Sequence, residues 1–414
     1  MQESKENLTE VSFEPEYESD YPLQGTKLDI VLEDVLSFEE PQREQYIRDV
    51  LSAFSKEIKK NQMSLKKRVP FKGEMSDLRK VLRYPADSYL FTDENNYQRN
   101  VLGKGSPGAT HTYWSRKVMW RMATQQGELT KLIDEQDDRI IRRLKQIFDP
   151  DNAGKEMFRR KEKSAILSIL AYWQMDFGVG AAFPPFHAKF LADKFLPQKG
   201  RCLIVDPCAG WGGRLFGSLC VNRKAPVRYV GIDPEKRNKE AYEGLLRRIN
   251  IYMEKEIKAK RYGQFYYRPF EDWILSAGAR KLYGKADLVM TSPPYFSAEL
   301  YNTDNKDQSA NKFPTYKEWR EGFYRVLVQG AYDLLKDGGM FVLNIADVAS
   351  AEQLEKDARA LTRDVGFKNG GFFKLAMSIN PGNKKNPRHW VTVNGKMFKH
   401  EPVFCFKKPE KQSS

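Results

Sequence analysis

The hydropathy pattern of the chain changes near residue 178. After this point, short apolar runs alternate with longer segments in which apolar residues recur at helical spacing. The predicted strands are 201–205, 229–232, 264–268, 286–290, 340–345, 371–379 and 402–406. The predicted helices are 212–221, 236–250, 273–280, 317–335 and 351–365. Strands that alternate with helices favour an α/β fold with a doubly wound, mostly parallel sheet.

The first part of the chain has a different pattern. Residues 1–27 mix Glu, Ser, Pro and Tyr without a period, which predicts a mobile acidic tail. Apolar residues at helical spacing predict helices between 29 and 60, interrupted near Pro41, and further helices at 114–124, 130–148 and 156–173. The predicted regions are therefore the tail at 1–27, a mainly helical basic region at 28–177, an α/β domain at 178–408 and a short tail at 409–414.

Charge is distributed unevenly along these regions. The chain of 414 residues carries a net charge of +14. Residues 1–50 hold fourteen acidic and four basic residues, a net charge of −10, so the remaining 364 residues carry +24. A basic body fits a polyanionic partner such as a nucleic acid, although charge by itself also serves solubility.

Composition excludes other classes of protein. No apolar run reaches the ~18 residues of a membrane helix, and the first residues lack a signal-peptide pattern. The four cysteines show no metal spacing, and the histidines are too scattered for a metal site. We expect a soluble intracellular protein without a metal, in the cytoplasm, or in the host cytoplasm if the chain is viral.

The first predicted strand of the α/β domain ends in a glycine-rich turn, Asp206-Pro-Cys-Ala-Gly-Trp-Gly-Gly-Arg214. Glycines between a strand and a helix let a ligand approach the backbone, and the helix N-terminus adds oriented N–H groups. Such a turn serves dinucleotides, phosphates and S-adenosylmethionine (SAM) alike, and an empty tight turn is a further alternative. Ligands of doubly wound sheets bind at these strand ends.

Acidic residues follow the next two strands. Asp233 ends the second strand, where a carboxylate can accept hydrogen bonds from ribose hydroxyls. Glu271 and Asp272 follow the third strand beside aromatic residues, where they could hold an adenine ring. For Asp272, capping the next helix is an equally good alternative.

The fourth strand ends in Thr291-Ser-Pro-Pro-Tyr-Phe296. Two prolines remove two N–H donors and restrict the backbone, so the neighbouring carbonyls become fixed acceptors. This turn suits a substrate that donates hydrogen bonds, such as an exocyclic amine. Tyr295 could stack on a nucleic-acid base.

With these residues the chain resembles the SAM-dependent amino methyltransferases of DNA, which methylate adenine N6 or cytosine N4. Their catalytic turn, [DNS]-P-P-[YFW], resembles Ser292, Pro293, Pro294 and Tyr295, and the Ser-led form is typical of the cytosine N4 enzymes. Their cofactor loop resembles 206–212. Residues 182–190 resemble the segment that covers the methionine part of SAM, and 399–407 resemble the last strands of their sheet.

The resemblance implies a seven-stranded Rossmann-like methyltransferase sheet over 178–408, SAM as the cofactor and DNA as the partner, with RNA as an alternative. The implied cofactor-binding residues are Phe183, Pro184, Asp206, Cys208, Ala209, Gly210, Gly212, Asp233, Glu271 and Asp272. Ser292 Oγ and the Pro293 carbonyl would accept hydrogen bonds from the target amine, and Tyr295 with Phe296 would stack on the flipped base. Methylation of cytosine C5 needs a cysteine nucleophile, and Cys208 lies in the cofactor loop, the wrong place for it.

The position of DNA recognition stays open. The family usually places it after the catalytic turn, but here most of the additional chain precedes residue 178. The basic N-terminal region, with Lys66, Lys67 and Arg68, competes with the polar insert at 297–316 and with the basic loop at 380–389 that contains Arg388. Each could also be a solvated surface. An RNA base-amine methyltransferase and a non-catalytic nucleic-acid-binding protein of the same fold are the alternative functions.

Overall fold

A computed structural model describes residues 38–60, 71–83, 90–92, 98–102, 123–124, 127–147, 183–298, 300–376, 390–393 and 395–411. The strands are β1 Leu90–Thr92, β2 Gln98–Leu102, β3 Ala123–Thr124, β4 Gly127–Glu128, β5 Cys202–Asp206, β6 Val227–Ile232, β7 Arg261–Tyr266, β8 Ala286–Thr291, β9 Leu335–Asn344, β10 Lys368–Ala376, β11 Trp390–Val393 and β12 Lys396–Lys407. The first seven α-helices in the described residues are α1 Glu40–Lys60, α2 Phe71–Arg83, α3 Leu129–Asp134, α4 Asp138–Ile147, α5 Pro185–Phe195, α6 Gly213–Leu219 and α7 Lys239–Ile257.

The remaining helices belong to the second half of the chain. They are α8 Phe270–Trp273, α9 Ala277–Arg280, α10 Ser309–Lys312, α11 Tyr316–Trp319, α12 Arg325–Leu334 and α13 Leu354–Val365. Thr315 and Glu318 form a capping box at the start of α11, which fixes where this helix begins.

Ten of the described strands form one mixed sheet in the order β1-β2-β10-β12-β9-β8-β5-β6-β7, with β11 paired to β12, and β3 and β4 form a separate two-stranded sheet. The five strands β5 to β9 are parallel, whereas β12 runs antiparallel to both of its neighbours, β9 and β10. The strands β5 to β10 and β12 are the seven predicted from the sequence. The prediction of a doubly wound, mostly parallel α/β sheet is therefore confirmed.

Both faces of the sheet are covered, which explains the continuous apolar runs of its strands. Successive residues of one strand point to opposite faces: Ile204 belongs to one apolar cluster and Val205 to the other. The first cluster is completed by residues of α5, α6 and α7, the second by residues of α8, α12 and α13. Because the helices occupy both faces, the polar strand ends are left at the carboxyl edge.

Part of the N-terminal region joins this sheet. Strand β2 pairs in parallel with β10, and Leu78, Val81 and Leu82 of α2 lie in the first apolar cluster. Arg79 and Arg83 of the same helix form ion pairs with Glu256, at 3.4 and 3.2 Å. The boundary at residue 178 remains a prediction, but the structure shows that described segments on its N-terminal side share the core of the α/β sheet.

A helix boundary lies near Pro41, as the sequence predicts. Phe38 and Glu39 are not helical, and α1 begins at Glu40 and places Pro41 in its first turn. The missing N–H of proline costs nothing there, since the first N–H groups of a helix have no partner within it. Residues 29–37, predicted to be helical, lie outside the described residues.

Across the part of the chain that the structure describes, the helices fall short of the length and apolar character that crossing a membrane requires.

Candidate active site

One cavity of about 280 Å³ lies at the carboxyl ends of the parallel strands. It brings together the glycine-rich turn after β5, the acidic end of β6, the start of α8 and the Pro-Pro turn after β8. The predicted site residues that line it are Phe183, Pro184, Cys208, Gly210, Asp233, Glu271, Ser292, Pro294 and Tyr295. Predictions made at separate strand ends therefore meet in one space.

The glycine-rich turn is held from both sides. Gly210 and Gly212 have φ angles of +58° and +86°, which only glycine adopts without strain. The Gly210 N–H donates to Asp233 Oδ2 at 2.8 Å, and its carbonyl accepts from the Tyr242 hydroxyl at 2.5 Å and from Asn238 Nδ2 at 3.3 Å. The turn is therefore shaped by β6 and α7 before any ligand binds.

Asp206 lies beneath the cavity rather than in its lining. Its carboxylate is fully buried and accepts from Arg214 Nε at 2.8 Å and from the Tyr229 hydroxyl at 2.6 Å. Burial works against the charge of Arg214, but Asp206 outweighs it and raises the pKa of this guanidinium. Asp206 thus supports the turn from below, and Ala209 and Gly212 also lie outside the cavity lining.

Asp233 lines the cavity and keeps hydrogen-bonding capacity. Each carboxylate oxygen accepts one backbone N–H, from Gly210 at 2.8 Å and from Glu235 at 2.9 Å. A carboxylate has about four lone-pair positions, so acceptor positions remain for a ligand hydroxyl. Burial raises the pKa of Asp233 to about 7, against the opposing effect of the two backbone hydrogen bonds.

The segment with Phe183 and Pro184 reaches the cavity because α5 packs closely against α6. A Cβ at Gly217 would lie 1.8 Å from the Pro185 carbonyl oxygen, so the contact requires glycine at this position. The Arg214 guanidinium lies 5.5 Å from the centre of the Phe183 ring. This close approach places the predicted covering segment over the glycine-rich turn.

The two acids after β7 have different surroundings. Glu271 is buried and lines the cavity, and burial raises its pKa although Lys312 lies 3.1 Å away. Asp272 is 45% exposed, lies outside the cavity lining and forms an ion pair with Lys312 at 2.9 Å. Asp272 does not cap the next helix, because α8 begins before it and Ser276 caps α9.

Ser292 is oriented by a residue that sequence reasoning missed. Its Oγ donates to Asn344 Oδ1 at 3.2 Å, and Asn344 Nδ2 donates to the Pro402 carbonyl at 3.0 Å. Because Pro402 uses the amide nitrogen, Asn344 presents its oxygen to Ser292 and accepts the hydroxyl proton. The lone pairs of Ser292 Oγ are then left to accept a hydrogen bond from a substrate.

The two aromatic residues of the turn, Tyr295 and Phe296, lie in different surroundings. Tyr295 lines the cavity, and its hydroxyl donates to Glu401 Oε2 at 3.1 Å. Phe296, predicted to stack on a base, instead lies in the apolar core, with its ring centre 5.7 Å from Tyr316 and 6.0 Å from Trp319. A φ of +52° at Phe296 turns the chain sharply and directs this side chain inward. Pro293 lies outside the lining.

Four predicted substrate-binding residues, Lys66, Lys67, Arg68 and Arg388, lie outside the described residues. Conversely, the cavity is lined by residues that the sequence analysis did not assign: His187, Trp211, Arg214, Glu235, Asn238, Tyr301, Asp307, Gln308, Asn344 and Glu401. Two of these residues could have been identified from the sequence. Glu235 follows Asp233 by two residues, and Asn344 is a polar residue directly after the apolar run 340–343.

The cavity does not offer a thiolate nucleophile at Cys208. Burial and the nearby Asp206 carboxylate raise the pKa of this thiol well above its ordinary value. A thiol that stays protonated is a weak nucleophile. The geometry therefore agrees with excluding attack by Cys208.

Comparison with known proteins gives one family match. The family described as DNA methylase (N6_N4_Mtase) matches residues 286–414, which is less than half of the chain. The match begins at β8 and contains the Ser292–Tyr295 turn. It confirms the predicted resemblance over these residues and supports SAM as the cofactor. No curated protein sequence matches the chain.

Solved structures show weaker similarity. A SAM-dependent O-methyltransferase from Thermotoga maritima has 11% identity and a TM-score of 0.36, with 58% of this chain and 71% of that chain covered. An arsenic(III) SAM methyltransferase from Chlamydomonas reinhardtii has 14% identity and a TM-score of 0.35, with 56% and 76% covered. Similarity at this level carries no argument about the substrate. The cavity and the family match together support a SAM-dependent methyltransferase.

Proposed function

We propose that the chain methylates an exocyclic amino group of a DNA base, with cytosine N4 favoured over adenine N6. The observation that carries this proposal is the fixed acceptor at Ser292, which shares one cavity with the glycine-rich turn and Asp233. The family match over 286–414 supports DNA as the substrate. The Ser-led turn, typical of the cytosine N4 enzymes it resembles, is the ground for favouring cytosine.

The residues of the cavity fit SAM in chemical type. Asp233 offers acceptors for the ribose hydroxyls, Phe183 and Pro184 offer an apolar cover for the methionine part, and Glu271 lies on the side expected for adenine. The cofactor supplies a methyl group on a positively charged sulfur. Acidic residues in the lining, including Asp233, Glu235 and Asp307, suit that charge.

The contribution of Ser292 follows from its hydrogen bond. The lone pair of an exocyclic amine is delocalised into the base ring, which makes the nitrogen a poor nucleophile. A hydrogen bond from the amine to Ser292 Oγ, which lines the cavity, favours a pyramidal nitrogen with a localised lone pair. Because the hydroxyl proton of Ser292 is held by Asn344, the oxygen acts as an acceptor when the amine arrives.

Tyr295 supplies a flat surface next to this acceptor. Its hydroxyl is held by Glu401, so the ring is fixed before a base enters. Stacking on an aromatic side chain contributes roughly 1–3 kcal/mol per base and tolerates different bases. A base in duplex DNA must first leave the helix to reach this ring.

Lys66, Lys67, Arg68 and Arg388 are proposed to bind phosphates. Their charge and their place in basic segments support this role. Replacing Lys66, Lys67 and Arg68 by Glu is expected to weaken binding equally across DNA sequences, and to reduce the salt slope by roughly 0.9 for each phosphate that is no longer neutralised. Binding that keeps its strength and salt slope would make these residues a solvated surface.

Nucleoside analysis tests the proposed reaction directly. The full chain is incubated with methyl-labelled SAM and with separate pools of unmodified DNA and RNA, and the digested nucleosides are identified by mass spectrometry. Label in N4-methylcytosine from DNA is the expected result. Label in N6-methyladenine would overturn the base preference, and label confined to RNA would favour the RNA alternative. Cofactor binding without transfer to either pool would favour a non-catalytic protein.

A further inference from the structure

The insert after the catalytic turn lies against the cofactor side of the cavity. Asn302 Nδ2 donates to Glu235 Oε2 at 3.2 Å, two residues beyond the expected ribose acceptor Asp233. At its other end, Lys312 forms ion pairs with Glu271 at 3.1 Å and Asp272 at 2.9 Å. The segment 300–312 therefore spans the distance between the expected ribose side and the expected adenine side.

The segment is held by hydrogen bonds within itself and by one to the apolar core. Asn311 Nδ2 donates to the carbonyls of Asn302 at 2.9 Å and Asn305 at 2.8 Å, so a single amide closes the loop on itself. The fully buried Trp319 donates through Nε1 to Ser309 Oγ at 3.1 Å, which ties the segment to the core. Its cavity-facing side chains are thus held in place without a ligand.

Gln308 is the most informative of these side chains. It is 9% exposed and lines the cavity. Within the described part of the chain, its side-chain amide makes no hydrogen bond, whereas its backbone groups do. Its amide therefore keeps its donors and its acceptor for a group that enters the cavity.

The aromatic part of the wall completes the enclosure. Tyr301 and Trp211 both line the cavity, and their ring centres lie 6.0 Å apart in an edge-to-face arrangement. Trp211 belongs to the glycine-rich turn, so this pair joins the insert directly to the cofactor loop. Phe183 and Pro184 belong to the segment expected to cover the methionine part of SAM. The contacts that hold the insert, from Asn302 and from Lys312, lie at the expected ribose and adenine sides.

We propose that residues 300–312 form the outer wall of the cofactor site and that Gln308 hydrogen-bonds the adenosyl half of SAM. The identity of this ligand rests on the proposed methyltransferase function. An amide can both donate and accept, which matches the donor and acceptor groups of a nucleoside. The insert then serves cofactor binding, and DNA recognition is left to the basic N-terminal region or to the loop at 380–389.

Calorimetry without nucleic acid tests this assignment on the full chain. The probes are S-adenosylhomocysteine, which holds the whole cofactor skeleton, and adenosine, which lacks the amino-acid half. Gln308→Ala is expected to weaken the binding of both probes by the same factor, about threefold to tenfold, because one hydrogen bond contributes roughly 0.5–1.5 kcal/mol. Gln329→Ala is the matched control, since the Gln329 amide donates to Asp333 on the exposed surface of α12.

The outcomes separate this inference from the proposed function. Unchanged affinity of Gln308→Ala for both probes would overturn the inference, as would a loss for S-adenosylhomocysteine with normal adenosine binding. A wild-type chain that binds S-adenosylhomocysteine but methylates neither DNA nor RNA would contradict the proposed function. The effect of Gln308→Ala on binding would still decide the inference in that case, because the assay contains no nucleic acid.

Discussion

The two halves of the cavity are built in different ways. In the half that we propose holds the cofactor, Gly210, Asp233 and Asp206 are tied together by hydrogen bonds within two neighbouring βα units. In the half that we propose holds the base, Ser292 depends on Asn344 and Pro402, and Tyr295 depends on Glu401, all contributed by later strands. The first half is thus built from residues that are close together in the sequence. The second half is complete only when β9 and β12 have joined the sheet.

This difference predicts that substitutions in the two halves of the cavity have different effects. A change in the cofactor half is expected to alter the fold or cofactor affinity, because its polar groups support the turn itself. A change in the base half is expected to alter turnover on DNA and to leave cofactor affinity intact. Measuring both quantities for each variant tests this division.

Arg214→Met should have the largest effect. It removes the cationic partner of the buried Asp206 carboxylate and leaves that charge with neutral hydrogen-bond donors such as Tyr229. Such a loss costs roughly 3–5 kcal/mol in the free energy of unfolding. Denaturant unfolding measures it, and Arg325→Met is the control because Arg325 pairs with Glu321 at the exposed surface. Exposed pairs contribute about 0.2–1 kcal/mol, so equal losses in both variants would contradict the buried role.

Asp233→Ala should weaken cofactor binding while the fold persists. A hydrogen bond to a charged acceptor contributes roughly 1.5–3 kcal/mol, which corresponds to about a tenfold to hundredfold loss in affinity. Calorimetry with S-adenosylhomocysteine measures the loss, and circular dichroism checks the fold. Unchanged affinity would mean that the ribose hydroxyls are held elsewhere.

The same carboxylate predicts a pH dependence of binding. The pKa of Asp233 is raised to about 7 by burial, so the group is largely protonated below that pH. Accepting two ribose hydroxyls favours the ionised form, so affinity should rise as the pH increases towards 7 and level off above it. Asp233→Asn should lack this dependence. A wild-type affinity that falls as the pH rises from 5 to 7 would contradict the expected sign.

Tyr295→Ala should lower turnover on DNA without a loss of S-adenosylhomocysteine affinity. The stacking surface contributes roughly 1–3 kcal/mol per base, and alanine removes it. Tyr295→Phe keeps the ring and gives up the hydrogen bond to Glu401, so most of the activity should remain. Wild-type turnover in Tyr295→Ala would show that the ring does not contact the base.

Asn344→Ala should have the smallest effect, a loss of turnover of about tenfold or less, as expected for one hydrogen bond. If Asn344 acts through Ser292, the double variant with Ser292→Ala should be no slower than Ser292→Ala itself. Asn344→Asp keeps an acceptor for the Ser292 hydroxyl and should recover part of the rate. Independent, additive losses would mean that Asn344 has a role apart from Ser292.

Much of the fold could be predicted because its signals are local. The alternation of short apolar runs with helical segments predicted seven of the ten described strands of the main sheet, since a strand buried on both faces must be apolar throughout. The glycine-rich turn, Asp233 and the Ser292–Tyr295 turn were recognised for a related reason. A backbone that bends sharply at a strand end needs glycine or proline at those positions, and this requirement is written in consecutive residues.

The tertiary structure alone decided which side chains share the cavity. Asn344 contacts Ser292, and Glu401 contacts Tyr295, because β9 and β12 pack beside the turn after β8. No spacing along the chain predicts these contacts. Phe296 went to the core because a positive φ directs it towards Trp319. The insert at 300–312 reaches the acids after β7 through the ion pairs of Lys312 with Glu271 and Asp272. Contacts between distant residues depend on the packed sheet, so a local pattern cannot specify them.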